Sequence, residues 1–164
     1  MTQPAIDCLC APVAALLFTG FRRKDVAVAS EAALIARSRG TALIGLQVSP
    51  RQPRGALLAA GFDPDKLERG ELADSRRAIR EMFEVLGFPR APIVLVGRPP
   101  VAAALRVGAE FGVKTLLVPP LPSIRWRRKL RGITTRTIEV VVAYPTPSGS
   151  SLSAHGSGSE SPAT

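Results

Sequence analysis

The chain has 164 residues, a length that suits one domain, and its 46 % apolar but only 5 % aromatic content predicts a core of Ala, Val, Leu and Ile. Its 22 Lys and Arg against 13 Asp and Glu leave a net charge of +9, which points toward anionic partners, while 21 % charged residues argue against disorder throughout. No apolar run reaches the roughly 20 residues of a membrane span, and MTQPAIDCLC lacks the basic start and apolar stretch of a signal peptide.

In chain order, residues 1–10 read as a flexible lead-in. They hold Cys8 and Cys10, whose C-x-C spacing disfavours a mutual bond. With only His155 as a distant further ligand, no metal site is expected, and reduced thiols in a cytoplasmic protein are the reading. Residues 11–145 then read as one α/β domain. VAALLF (13–18) is a short apolar run ending in a turn at Gly20 and Phe21. Asp25 is placed to cap a helix to about Arg39, with Val26, Ala29, Ala33 and Ala36 at helical spacing. Gly40 ends that helix, and TALIGLQV (41–48) is a second strand. A Pro- and Gly-rich connection over 49–66 leads to an amphipathic helix from about Glu71 to Leu86, with Leu72, Ile79, Met82, Phe83 and Leu86 on one side. Gly87 closes it. APIVLVG (91–97) is a third strand, Pro99 and Pro100 open a helix to Gly112, and KTLLVPP (114–120) is a fourth strand. TIEVVVAY (137–144) is the fifth, and the Ser, Gly and Pro of 146–164 form a disordered tail.

Val-, Leu- and Ile-rich strands alternating with helices predict a doubly wound, five-stranded parallel sheet in a three-layer, Rossmann-like sandwich. Such sheets bind ligands beyond the carboxyl ends of their strands, at the reversal of strand order. That rule selects Thr19 and Gly20, Val48 and Ser49, Gly97 and Arg98, and the stretch from Val118 to Pro122.

At those positions the chain resembles the universal stress protein family over most of residues 13–142. FTGFRRKDVAVASEAALIARSRGTALIGLQV (18–48) is similar to the family's first strand, helix and second strand. VGRPPVAAALRVGAEFGVKTLLVPP (96–120) is similar to its central block, with Gly97 and Pro99 fitting its G-x-P. Nucleotide-binding members carry G-x2-G-x9-G-(S/T) after the fourth strand, where glycine amides approach phosphates and a hydroxyl adds a donor. The corresponding positions here are Pro119, Pro122, Gly132 and Ile133, with Thr134 one residue later, and the family's nucleotide-side Asp corresponds to Gly20. Prolines donate no N–H. The resemblance therefore implies a degenerate member with no cofactor, ATP being disfavoured. It also implies a homodimer or a protein partner, although the interval after Gly132 is shorter than the family's.

Residues 121–136, LPSIRWRRKLRGITTR, carry Arg125, Arg127, Arg128, Lys129, Arg131 and Arg136 with no acid, so six of the nine net charges lie there and three elsewhere. As a helix this segment would turn Trp126, Leu130 and Ile133 inward and leave a solvated basic face. Alternatively it holds a phosphorylated ligand beside the crevice, or a polyanion. Nucleic acid is the weaker choice because a single aromatic accompanies the cations. The chain shows no P-loop, no G-x-G-x-x-G and no histidine outside the tail, so no catalytic residue is expected. The acids between Glu68 and Glu84 alternate with arginines as on an exposed helix. The leading expectation is a non-catalytic accessory or signalling module. A nucleotide- or phosphate-sensing module using Thr19, Gly20, Val48, Gly97, Arg98, Val118, Gly132 and Thr134 is the alternative.

Overall fold

The computed structural model describes residues 11–51, 53–120 and 138–146. In chain order the elements are β1 (Val13–Leu17), α1 (Arg23–Arg39), β2 (Leu43–Val48), α2 (Arg54–Ala59), α3 (Pro64–Val85), β3 (Ile93–Val96), α4 (Pro100–Glu110), β4 (Thr115–Val118) and β5 (Glu139–Val142). The five strands form one sheet in the order β3-β2-β1-β4-β5, and every pairing is parallel. Val13 sits opposite both Leu43 and Thr115, which makes β1 the central strand.

Strand alternation sorts the core into two layers. Val13, Ala15 and Leu17 face α1 (Val28, Ala29, Ala32, Ala33, Ala36) and α3 (Ile79, Phe83). Ala14 and Leu16 face α4 through Val101, Ala103, Ala104 and Leu105. A strand buried on both faces reads as an unbroken apolar run, as VAALL does. This is the doubly wound parallel sandwich that the strand and helix pattern predicts.

Glycines set two close approaches. A Cβ on Gly45 of β2 would meet the Phe83 ring at 2.8 Å, so this glycine makes room for the largest fully buried side chain among the described residues. Gly40 takes φ 62° after α1, and its N–H donates to the carbonyls of Ala36 and Arg37.

Three local expectations need correction. Asp25 does not cap α1: Arg22 occupies the cap position without a side-chain bond, and Asp25 lies buried inside the first turn. Val26 points outward and is 45 % exposed, while Val28 and Ala32 take the inward stripe with Ala29, Ala33 and Ala36. The long helix begins at Pro64 rather than Glu71, and the connection before it contains α2. The start signal is Asp63-Pro64: the Asp63 carboxylate accepts from the amides of Asp65 (3.0 Å) and Lys66 (3.3 Å), with Pro64 in the first turn. Those early turns are mostly polar, so an apolar stripe does not announce them. The lead-in 1–10, the basic segment 121–136 with Gly132, Thr134 and the fourth-helix interval, and the tail beyond Thr146 lie outside the described residues.

Candidate functional site

Beyond the carboxyl ends of β1 and β2 lies an open cavity of about 520 Å³. The stretch after β1 contributes Phe18, Thr19, Phe21 and Arg22. Val48 ends β2, and the following Ser49, Pro50 and Arg51 extend that wall. Glu71, Asp74 and Ser75 project from α3, and Arg98 follows β3. Three guanidinium groups and two carboxylates therefore border one crevice.

Local bonds fix its walls. Arg98 donates from Nε and Nη2 to the Ser49 carbonyl, at 3.3 and 3.2 Å, bridging the ends of β2 and β3. The Ser49 hydroxyl donates to Glu68 Oε1 at 3.3 Å. Buried Gln47 donates from Nε2 to the Leu72 carbonyl at 3.2 Å, which holds α3 against β2. At the outer edge Arg54 pairs with Asp65 at 2.7 Å and with Glu68 at 3.2 Å, joining α2 to α3. The hydrogen bond to Glu68, followed by the nearby charges of Asp65 and Glu68, raises the Arg54 pKa above its ordinary value.

The turn after β1 is closed by Asp25. Its Oδ1 accepts from the Phe18 amide at 2.9 Å, and its Oδ2 accepts from the amides of Thr19 and Gly20 at 3.1 Å each. The Thr19 hydroxyl also donates to Oδ2 at 3.1 Å, while accepting from the Phe21 amide at 3.3 Å. Three successive amides converging on one point are the geometry of an anion nest. In this chain the anion is a side chain of the protein, 1 % exposed and placed in the first turn of a helix, where the dipole favours negative charge. Gly20 permits the turn: its φ is 77°, and an added Cβ would lie 2.9 Å from the Ile79 backbone nitrogen.

Of the positions selected from sequence, Thr19, Val48, Ser49 and Arg98 line the cavity together. Gly20 instead borders a neighbouring groove between α1 and α3. Gly97 has open space where a Cβ would stand, and the Val118 side chain is fully buried against the α4 layer. Gly132, Thr134, Arg125, Arg127, Arg128, Lys129 and Arg131 lie outside the described residues. Sequence reasoning did not select Arg22 and Arg51, which lie a few residues past the ends of β1 and β2, nor Glu71, Asp74 and Ser75, because α3 reaches the crevice only through tertiary packing. The loop-anchoring role of Asp25 had one usable signal: an acid just inside a helix can reach back to preceding amides.

Among the described residues, no group of His, Cys, Asp and Glu is placed to hold a metal ion. No described helix is long and apolar enough to cross a membrane. No family model matches the chain, and no curated protein sequence matches it. Among solved structures, a universal stress protein in complex with cAMP is similar to it, with a TM-score of 0.52 at 16 % identity over 84 % of this chain and 98 % of that one. The described part of the chain thus has the Rossmann-like α/β fold of that universal stress protein.

Proposed function

We propose that this chain is a non-catalytic accessory or signalling module of universal stress protein type, cytoplasmic, acting through protein contacts and binding no ATP. The observation that carries this reading is the Asp25 carboxylate in the amide nest after β1. At the switch point between β1 and β4, backbone amides are the usual donors to a phosphate. Those of Phe18, Thr19 and Gly20 are spent on Asp25, and Pro119 and Pro120 after β4 have none to offer. The test is to denature natively purified protein and analyse the released material by absorbance and mass, alongside equilibrium dialysis with ATP and cAMP. No nucleotide is expected in either assay. Stoichiometric nucleotide would overturn the reading.

A second reading is favoured by the arginines of the cavity. Arg22, Arg51 and Arg98 border a space of about 520 Å³, and the similar solved structure is a complex with cAMP. Under this reading a phosphorylated ligand is held by guanidinium groups rather than by amides. Residues Arg125, Arg127, Arg128, Lys129 and Arg131 are candidates to add to that charge. Calorimetry with ATP, cAMP and DNA on the wild type, Arg98→Ala and Arg127→Ala/Arg128→Ala separates the possibilities. Small-ligand heat lost in Arg98→Ala supports the sensing module, and salt-steep DNA binding lost in the double variant supports a polyanion partner.

A further inference from the structure

The crevice beyond β1 and β2 is lined by charges of both signs that do not neutralise one another. Arg51 and Arg98 come to its border from the ends of β2 and β3, and α3 presents Glu71 and Asp74, three residues apart and so on one helix face. Arg98 is anchored by its bonds from Nε and Nη2 to the Ser49 carbonyl, which leave Nη1 without a partner among the described residues. The side chain of Arg51, two residues beyond Ser49, makes no hydrogen bond or ion pair among the described residues. Neither does that of Asp74, although Arg77 follows it at a spacing where helix ion pairs form.

A plain anion entering this space gains from the guanidinium groups but is repelled by the carboxylates, and a plain cation meets the reverse. A ligand carrying both signs gains from both. We propose that the crevice takes a small phosphate ester that also bears a primary ammonium group, with the phosphate on Arg51 and Arg98 and the ammonium on Asp74. The guanidinium fork matches phosphate oxygens, and an ammonium offers three donors to a carboxylate. Net charge agrees: the three arginines of the lining less its two carboxylates leave +1, and an ester of this class carries about −1 near neutral pH. The apolar part of the lining, Phe18, Phe21 and Val48, suits the methylenes that join the two charged ends. Such a group occurs as a free ester or as a lipid headgroup. This inference rests on the second reading above, in which guanidinium groups hold a phosphorylated ligand, and it names the ligand's class. It also gives Asp74 a role in specificity, since its charge disfavours phosphates that bring no cation.

The test is calorimetry of the full chain with aminoethyl phosphate and with hydroxyethyl phosphate, which has the same phosphate and no ammonium. The amino ester should bind about tenfold or more tighter. Asp74→Asn should bring the two esters to within about threefold of each other, and Arg51→Ala should weaken both by about tenfold. Neither substitution breaks a side-chain bond among the described residues, so both variants should fold, which circular dichroism checks. Vesicles of phosphatidylethanolamine added as a competitor separate the two sources. Competition identifies a headgroup and its absence a free ester, and both outcomes support the assignment. Equal affinity of the wild type for the two esters, or a preference for the amino ester that survives Asp74→Asn, overturns the inference. If Arg51→Ala still weakens both esters in that case, the sensing reading stands without it. Silence from both esters overturns the inference, and silence from ATP and cAMP as well overturns the sensing reading.

Discussion

Asp25 sits in the first turn of α1 but serves the loop before it. Four donors from Phe18, Thr19 and Gly20 converge on its carboxylate in a nearly dry environment. Removing it strands partly buried N–H groups, which costs more than a lost hydrogen bond alone. Asp25→Ala should therefore lose about 3 kcal/mol of unfolding free energy in urea titration, and Asp25→Asn about half that, since one oxygen still accepts. A loss below about 1 kcal/mol for Asp25→Ala would mean that water satisfies the turn. The sequence shows an acid near a helix start, which is equally the pattern of an ordinary cap. Only the path of the turn decides that its partners lie five to seven residues upstream rather than two or three downstream.

Among the elements, helix ends marked by glycine or proline are legible: Gly40, Gly87 and Gly112 all take positive φ at helix ends. Ala29, Ala33 and Ala36 are correctly placed on the inward side of α1, but which valine joins them is not legible, because Val26 and Val28 are equally apolar. The position of the sheet decides it. Gly45 is a further case, since nothing local in LIGLQV reveals that β2 must leave room for Phe83, thirty-eight residues later. Gly45→Ala should destabilise by about 2 kcal/mol through overpacking. Adding Phe83→Leu should make the double variant less destabilised than the sum of the singles, because the two side chains compete for one volume. Additive losses would show that the β2 backbone, rather than the Phe83 ring, resists the change.

On the scale of the whole molecule, strand order creates the crevice. The strand order reverses between β1 and β4, and the ends of β1, β2 and β3 and one face of α3 border a common space. The same order predicts a gradient of local stability. β1 is fully buried and paired on both sides, whereas β3 and β5 are edge strands and the residues of β5 are only partly covered. Native-state hydrogen exchange should find the slowest amides in β1 and its neighbours β2 and β4, with β5 exchanging through smaller openings. Protection of β5 equal to that of β1 would contradict this gradient and point to a partner on that edge.

The sequence by itself determines the number of strands, their parallel arrangement and the two-sided core, because hydrophobic periodicity and helix-ending residues are local signals that survive without a three-dimensional frame. It also places Thr19, Val48 and Arg98 near strand ends, where the crevice of such a sheet lies. The tertiary structure alone decides which side chains share that crevice, that Asp25 fills the first nest, and that Val26 of α1 faces outward. These depend on segments distant in sequence converging in space, and a preference written for one residue carries no information about what will be packed against it.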